Sequence, residues 1–286
     1  MQSLWILLST ALTAAAYVFV KLLPTGFAWY EIFFVRMLFM FAAVAALAAV
    51  YGMPLRPKAK GLHFLRSAAG IAALSLNILI VRHLPLGTAQ TLAYTGPLFV
   101  TAWAAGAALV SGRRPDGRLS VAVLIGFAGI AVMMRPSLTD GSLLYMSLGL
   151  LSGAVSAVSG LTLKALGRAG EPVLRTVFLF SLAGVIAGGL MTVWLPSHSP
   201  EALLSEPAFW GVGLCTIGAQ LAQTNGWGRG RTMLSANLQF SAVLFAALFG
   251  VLFFGETLDA VTWIGMAVIL TAECGAVTTA AFQRER

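Results

Sequence analysis

The sequence predicts an all-α integral membrane protein: ten transmembrane helices arranged as two inverted five-helix repeats, with both termini in the cytoplasm. Three observations predict this fold class, namely the apolar composition, the distribution of charged residues and an internal repeat. Hydrophobic residues make up 59% of the 286-residue chain and charged residues only 10%, whereas a soluble domain carries about 25% charged residues. Leu84–Gly112 contains no formal charge, and roughly 20 apolar residues are enough for a helix to cross a bilayer.

Charged and turn-forming residues divide the chain into ten apolar segments. The third and fifth segments are predicted to be short, and arginines at their ends, among them Arg66 and Arg82, are expected to reach the membrane interfaces. The predicted spans are Leu4–Val20, Ile32–Val50, Phe64–Val81, Thr88–Val110, Leu119–Met134, Leu143–Leu163, Leu174–Leu195, Ala208–Trp227, Met233–Phe254 and Val261–Ala280.

Most basic residues fall on one side of the predicted membrane. Of the 18 Lys and Arg residues, only Lys21, Arg36, Arg82 and Arg135 lie on the side opposite the termini. Because cytoplasmic loops carry the excess of Lys and Arg in membrane proteins, both termini are expected in the cytoplasm. The net charge of +8 is therefore interpreted as a property of topology, and no nucleic-acid partner is expected. The expected location is the inner (cytoplasmic) membrane of a bacterium, as a multi-pass protein surrounded by lipid.

The chain repeats itself when it is shifted by half its length. Each half has five predicted spans, an odd number, so the two halves lie in opposite orientations. Inverted repeats of this kind are typical of secondary transporters that work by alternating access. Residues 1–135 are predicted to form the first repeat, 136–142 an extracytoplasmic linker and 143–286 the second repeat. The shift places Lys21 on Lys164, Asn77 on Gln220, Tyr94 on Asn237 and Gly112 on Gly255, and Glu31 and Arg36 recur as Glu171 and Arg175 after a small gap.

Several predicted spans carry polar or aromatic side chains at helical spacing. In the first span, Ser9, Thr13 and Tyr17 form one stripe. Such groups are costly in lipid unless they face protein or a water-filled cavity. Two interpretations stay open: hydrogen bonds between packed helices, and contacts to a substrate in a central cavity. The candidate substrate-binding residues are Tyr17, Arg36, Asn77, Gln90, Tyr94, Gln220, Trp227 and Asn237.

Two ionisable residues within the predicted spans carry alternatives of their own. Arg36 lies about one turn into the second span, five residues after Glu31. It is either an anchor at the interface or a guanidinium that receives a substrate carboxylate. Glu273 lies in the tenth span between apolar neighbours. It is either a proton carrier that couples transport to a proton gradient or a hydrogen-bonding group at a helix interface.

Proline and glycine mark two kinds of special helix geometry. Pro97 removes a backbone donor from the fourth span, which predicts a kink about one turn before it. Glycine pairs with G-x-x-x-G spacing, Gly149/Gly153 and Gly184/Gly188, predict close helix packing, either within the fold or between protomers. Monomer and homodimer both stay open.

The sequence contains no pattern typical of an enzyme. It has no P-loop, no Gly-x-Gly-x-x-Gly after a strand and no cluster of metal ligands, so no catalytic residue, cofactor or metal site is predicted. His63, His83 and His198 are interpreted as isolated residues of loops and span ends. Without a nucleotide site, uphill transport would depend on an ion or substrate gradient.

Several stretches of the sequence resemble one family. They are LPLGTAQTLAYTGPLFVT at Leu84–Thr101, GIAVMMRP at Gly129–Pro136 and the run Ser235–Leu270. Together with ten spans and short loops, they resemble the drug/metabolite transporter superfamily, specifically its EamA-type members. The resemblance covers essentially the whole chain. It implies a central cavity lined by the third, fourth, eighth and ninth helices and gated by the first, second, sixth and seventh.

This resemblance implies a secondary transporter for a small organic metabolite, with export of amino acids or related compounds as the leading expectation. The alternative within transport is uptake of a nucleoside-like cofactor or vitamin. A third possibility, from another class, is a lipid-linked-sugar flippase component or a non-transporting assembly subunit. Glu273 departs from the usually apolar tenth helix of the family, which leaves its role open.

Overall fold

The computed structural model describes residues 4–112, 121, 124–125, 128–129, 132, 142–229, 238–239, 241–261, 263–268 and 270–271. All regular secondary structure in these residues is helical. The helices are α1 (Trp5–Leu22), α2 (Trp29–Val50), α3 (Lys60–Val81), α4 (Leu86–Ala93), α5 (Gly96–Val110), α6 (Leu143–Arg168), α7 (Val173–Trp194), α8 (Pro200–Ser205), α9 (Pro207–Arg229) and α10 (Ser241–Phe254).

Five of the described helices are long and apolar enough to cross a membrane: α1, α2, α3, α6 and α7. They overlap the predicted first, second, third, sixth and seventh spans. Helix α9, of 23 residues, matches the predicted eighth span to within two residues at each end. Most of the predicted fifth span and much of the predicted tenth span lie outside the described residues.

The third span differs from its prediction in length and in the place of Arg66. Helix α3 has 22 residues and begins at Lys60, four residues before the predicted start. Arg66 is only 6% exposed, and its guanidinium lies 4.2 Å from the centre of the Phe180 ring. The prediction that Arg66 reaches the interface is therefore wrong, because the helix continues for a further turn and places this side chain against α7.

The predicted fourth span is interrupted. Helix α4 ends at Ala93 and α5 begins at Gly96, so Tyr94 and Thr95 lie between two helical segments. The kink predicted from Pro97 is thus present, two to three residues before the proline. The Thr95 hydroxyl donates to the Leu92 carbonyl at 2.7 Å, which satisfies one of the carbonyl groups at the end of α4.

Two glycines with positive φ end helices and position the acidic residues that follow them. Gly170 (φ +71°) follows α6 and Gly255 (φ +60°) follows α10. In both turns the N–H of the residue after the glycine donates to a carbonyl of the last helical turn, as in a Schellman motif. The Glu171 N–H donates to Leu166 O at 3.1 Å, and the Glu256 N–H donates to Gly250 O at 3.2 Å.

The helices of the two halves of the chain pack crosswise. Helix α1 packs on α9, α3 on α6, α2 on α7, and α4 on α10. The side chains buried between them form one apolar core, which includes Phe33, Met37, Leu92 and Phe209. Large apolar side chains also cover the outside: Leu144, Leu214 and Leu244 are 62%, 66% and 62% exposed. An outer surface of this kind is typical of a chain whose helices face lipid.

Both glycine pairs predicted to allow close helix packing lie at contacts within the chain. A Cβ at Gly153 would lie 2.7 Å from the Leu92 carbonyl oxygen, and a Cβ at Gly188 would lie 3.0 Å from the Cα of Phe34. The first contact joins α6 to the end of α4, and the second joins α7 to α2. These glycines therefore serve packing within the fold.

Candidate functional site

Four of the candidate residues come together from four elements of the fold. Tyr17 of α1 lies under the Arg36 guanidinium of α2, with 5.5 Å from the Arg36 Cζ atom to the ring centre. The Tyr17 hydroxyl also interacts with Asn77 of α3. Tyr94, between α4 and α5, interacts with both Tyr17 and Arg36. We call these four residues the Arg36 cluster.

The Arg36 side chain is buried but incompletely hydrogen-bonded. It is 4% exposed, and its Nε and Nη1 atoms have no hydrogen-bond partner among the described residues. The described acidic residue nearest to it in sequence, Glu31, does not pair with it, because the Glu31 carboxylate binds His198. A buried guanidinium with free N–H groups can donate to an anion, and its planar fork matches the two oxygens of a carboxylate.

The Asn77 amide is held by a serine of the other half of the chain. The Ser152 hydroxyl lies 2.7 Å from Asn77 Oδ1 and 3.2 Å from the Ala73 carbonyl oxygen. Ser152 is fully buried. Because Ser152 donates to Oδ1, the Nδ2 group of Asn77 stays available as a donor to other groups.

The cluster lies inside the helical bundle rather than at its ends. Tyr17 is five residues before the end of α1 and Arg36 seven residues after the start of α2, which corresponds to roughly 8–11 Å along each helix. Because α1 and α2 are joined by a short turn, both side chains lie at a similar depth. Ala93 and Thr95, on either side of Tyr94 at the α4–α5 break, are buried, so the irregular backbone at this depth faces protein, as it must in a membrane.

Gln90 and Thr216 add two buried polar atoms near this depth. Gln90 Nε2 and Thr216 Oγ1 have no hydrogen-bond partner among the described residues, although both side chains are 1% exposed. Gln90 lies one turn before Tyr94, about 6 Å along α4. Buried polar atoms without a partner are rare in folded proteins, so both are candidates for contact with a bound molecule.

Two of the remaining candidates, Trp227 and Gln220, lie on α9 and have no described contact with the cluster. Trp227 is half-buried near the end of α9, twelve residues and about 18 Å along the helix from Cys215, which interacts with Arg36. Gln220 is half-buried on the same helix, and its carbonyl accepts from the Thr224 hydroxyl at 2.8 Å. Asn237 and Glu273 lie outside the described residues.

Three residues near the cluster were not predicted. Cys215 interacts with Arg36, Gln239 interacts with Tyr94, and Ser152 binds Asn77. For Gln239, the internal repeat offered a signal, because the half-chain shift superposes Tyr94 on Asn237, which is two residues before Gln239. Cys215 carried no comparable signal, because its chemistry does not distinguish it from an apolar residue in a helix.

A buried carboxylate closes the bundle at the start of α2. Glu31 accepts hydrogen bonds from the Ala28 N–H at 2.6 Å, the His198 N–H at 2.6 Å and His198 Nδ1 at 3.0 Å. Its side chain is 1% exposed. His198 belongs to the segment between α7 and α8, in the second half of the chain. We call this contact the Glu31 closure; it lies five residues before Arg36.

A second buried carboxylate makes the corresponding contact at the start of α7. Glu171 accepts from the N–H groups of Lys58 and Ala59 at 2.7 and 3.0 Å and from Arg175 Nη1 at 2.8 Å, and His63 Nε2 lies 3.5 Å away. We call this contact the Glu171 closure. Burial raises the pKa of the Glu171 carboxyl, but the backbone donors and Arg175 outweigh it and lower the pKa to about 2.

The two closures correct the interpretation of the histidines as isolated residues. His198 and His63 each face a carboxylate of the opposite half of the chain. His83 stacks on the Tyr145 ring with 3.9 Å between ring centres and an interplanar angle of 11°. Within the part of the chain that the structure describes, no three His, Cys, Asp or Glu side chains lie together as potential metal ligands.

The comparisons with known proteins agree with a transporter. The pseudopaline exporter CntI of Pseudomonas aeruginosa is 24% identical to the chain over 207 residues in two strains, UCBPP-PA14 and PAO1. The match covers 72% of this chain and 71% of the exporter. A solved crystal structure has the same fold with a TM-score of 0.64 and 20% identity, covering 98% of this chain and 99% of the other; at that identity, the likeness concerns the fold alone.

The comparison with protein families gives a match in the first half of the chain. Residues 1–135 match the EamA-like transporter family. This segment contains Tyr17, Arg36, Asn77 and Tyr94, so the whole Arg36 cluster lies within the matched region. Over these first 135 residues, slightly less than half of the chain, the sequence is similar to the EamA-like transporter family.

Proposed function

We propose that the chain is a secondary transporter that exports a small carboxylate-bearing metabolite, an amino acid or a related compound, across the cytoplasmic membrane of a bacterium. The observation that carries this proposal is the buried Arg36 guanidinium with unpartnered Nε and Nη1 atoms. A carboxylate would accept both N–H groups and offset the charge. Tyr17, Asn77 and Tyr94 would bind the remainder of the molecule through their rings and polar groups.

The similarity to a known exporter supports the proposed direction of transport. CntI is named for the export of pseudopaline; the similarity, at 24% identity over about seven-tenths of both chains, supports export as a mode without transferring that substrate. The substrate proposed for this chain rests on its own residues, among which Arg36 supplies the positive charge of the cluster.

The mechanism we propose is alternating access by two inverted halves, 1–135 and 143–286, joined by 136–142. Two observations support it. The packing is crosswise. Helix α1, the first predicted span of its half, packs on α9, the third span of the other half, and α6 packs on α3 in the same way. The two second spans, α2 and α7, pack on each other. Gly112 and Gly255, which the half-chain shift superposes, both have positive φ at the end of their helices. Ten transmembrane helices in all complete this arrangement.

With both termini in the cytoplasm, the Glu31 closure lies at the extracytoplasmic face and the Glu171 closure at the cytoplasmic face. Each closure joins the start of a second helix in one half to a connecting segment of the other half. Breaking one closure at a time would open the Arg36 cluster to one side only. That is the requirement of alternating access.

A thermal-shift experiment on the purified full-length protein tests the carboxylate site. The ligands are three L-amino acids and the matching amines that lack the α-carboxylate: L-histidine with histamine, L-tyrosine with tyramine and L-lysine with cadaverine. A ligand that binds the native state raises the melting temperature by mass action. We expect at least one amino acid to raise the Tm and its amine to leave it unchanged.

Variants at Arg36 make the test specific. Arg36→Gln removes the charge and should weaken binding of the stabilising acid about tenfold or more, because hydrogen bonds to charged groups contribute about 1.5–3 kcal/mol. Arg36→Lys keeps the charge without the bidentate fork and should give an intermediate affinity. Arg56→Gln, at an exposed position, is the control. Equal stabilisation by acid and amine, or unchanged binding in Arg36→Gln, would contradict the proposal.

Nucleosides and ring-bearing vitamins, added to the same panel, test the alternatives. Stabilisation by nucleosides or ring-bearing vitamins alone would favour the import of such a molecule, with Tyr17 and Tyr94 as the stacking surfaces. No response to any ligand, together with recovery of a bound partner in mild detergent, would favour an assembly subunit or a flippase component.

A further inference from the structure

A second buried arginine lies outside the Arg36 cluster. Arg66 of α3 is 6% exposed, and its Nε atom has no hydrogen-bond partner among the described residues. The ion pairs between described side chains involve Glu31, Glu171 and Glu256, and Arg66 takes part in none of them. Its guanidinium lies on the face of the Phe180 ring of α7, 4.2 Å from the ring centre.

The backbone of α3 is shaped to hold this guanidinium. A Cβ at Gly70 would lie 2.0 Å from Arg66 Nη1 and 2.7 Å from Phe180 Cε2. Only a glycine therefore leaves room for the side chain to lie between its own helix and the ring. A cation–π contact contributes about 0.5–2 kcal/mol, less than the several kcal/mol that burial of an ion costs. Among the described residues, the charge still lacks an anionic partner.

Arg66 and Arg36 lie in opposite halves of the bundle. Helices α2 and α3 are antiparallel neighbours, with Arg36 seven residues after the start of α2 and Arg66 six residues after the start of α3. This spacing separates the two side chains by roughly 12 Å along the helix axes. Each arginine lies about one turn behind a closure: Arg36 behind Glu31, and Arg66 behind His63, which faces Glu171.

We propose that Arg66 is a second anion-binding position, which receives a carboxylate that enters through the Glu171 closure before it reaches Arg36. The Arg66 guanidinium supplies the charge, and the Nε atom supplies a free donor. The contacts with Gly70 and Phe180 hold the Arg66 side chain in one position and shield it from water. This inference rests on the proposed function, since it takes the carboxylate of the exported molecule as the ligand.

Chemical modification of arginine measures the accessibility of Arg66 and Arg36 in one sample and does not require the substrate to be known. The full-length protein, purified in detergent, is treated with phenylglyoxal, which reacts with guanidinium groups, and peptide mass spectrometry measures the rates at Arg66 and Arg36 separately. Sodium acetate is the carboxylate probe and sodium chloride, at equal concentration, is the comparison. The same measurement is made in Glu171→Gln, in which the Glu171 closure is weakened.

We expect Glu171→Gln to accelerate modification of Arg66, and acetate to slow it more than chloride does. Protection follows 1 + [L]/Kd, so the rate should fall about threefold when acetate reaches twice its Kd. Equal protection by chloride would overturn the carboxylate assignment. No protection by acetate, or no reaction at Arg66 in either background, would overturn the site, because a binding position must be reachable.

The readout at Arg36 separates this inference from the proposed function. Acetate protection at Arg36 without protection at Arg66 contradicts the second site alone; protection at neither position contradicts both. Gly70→Ala should abolish the acetate protection of Arg66 and leave that of Arg36 unchanged. Gly61→Ala is the matched control on the same helix, because a Cβ at Gly61 meets no atom within 4 Å.

Discussion

The Glu171 carboxylate accepts from three donors, the N–H groups of Lys58 and Ala59 and Arg175 Nη1, because it is negatively charged. A carboxyl whose pKa is lowered on folding contributes stability above its unfolded pKa and loses that contribution as the pH falls through the folded value. For Glu171 the ordinary value is 4.5 and the folded value about 2. The contribution is therefore complete at pH 5–8, and titration of Glu171 in that range will not open the closure.

This predicts how Glu171→Gln changes the acid dependence of stability. The variant should have a lower Tm than the wild type at neutral pH, and the difference should shrink as the pH falls from about 4.5 toward 2, where the wild-type carboxyl becomes protonated. Thermal unfolding of both proteins across this range measures it. Glu201→Gln, at an exposed position, is the control, and a Tm difference that stays constant with pH would contradict the assigned pKa.

The side chains of the Arg36 cluster were predictable one helix at a time. Tyr17, Asn77 and Tyr94 are polar or amphipathic groups in apolar spans, and the energetic cost of such groups in lipid indicates an inward orientation. The unpartnered atoms of Arg36 and the hydrogen bond from Ser152 to Asn77 were not predictable. They depend on which helices are neighbours, and hydropathy does not encode that information.

At the scale of elements, the contact between α6 and the end of α4 positions Tyr94. A Cβ at Gly153 would meet Thr95 Oγ1 at 2.2 Å and the Leu92 carbonyl oxygen at 2.7 Å. The carbonyl cannot move without disturbing the end of α4. Gly153→Ala should therefore destabilise the protein by about 1–3 kcal/mol, the usual range for overpacking, and weaken ligand binding through Tyr94.

Gly160→Ala is the comparison on the same helix. A Cβ at Gly160 meets no atom within 4 Å, and alanine has the higher helix propensity by about 1 kcal/mol. Thermal unfolding of the two variants should give a lowered Tm for Gly153→Ala and an unchanged or raised Tm for Gly160→Ala. Equal Tm values for the two variants would show that α6 does not pack closely at Gly153.

The elements also show where sequence reasoning succeeds and where it stops. Span positions follow from apolar length, and the structure agrees with them closely for α1, α2, α7 and α9. The start of α3 was placed too late because charged residues were taken to end the span. In the structure Arg66 is inside the bundle and packs against Phe180 of α7, a tertiary contact that the local sequence does not reveal.

For the whole molecule, the two closures predict opposite effects on access. Glu31→Gln weakens the contact with His198 and should favour opening at that face; Glu171→Gln should favour opening at the other. Cys215, half-buried and close to Arg36, reports the difference through labelling in intact cells by a membrane-impermeant thiol reagent. With Cys274 replaced by Ser, Glu31→Gln should increase labelling and Glu171→Gln should decrease it or leave it unchanged.

The control for this labelling is Glu201→Gln, at an exposed position outside both closures. Its labelling should equal that of the parent protein. If Glu31→Gln and Glu171→Gln change the labelling of Cys215 in the same direction, the two contacts do not act on opposite faces, and alternating access through them is wrong.

The ion pair between Lys21 and Glu256 has a consequence for how the chain is made. Glu256 binds Lys21 at the end of α1 and also accepts the Leu86 N–H at the start of α4, at 2.8 Å. Lys21 and Glu256 are 235 residues apart, so at ~5–20 residues per second roughly 12–47 s of synthesis separate them. During that interval the amino-terminal half is in the membrane with an unneutralised ammonium group and an uncapped helix. A chain that ended before Glu256 would leave Lys21 without this carboxylate and the Leu86 N–H without this acceptor.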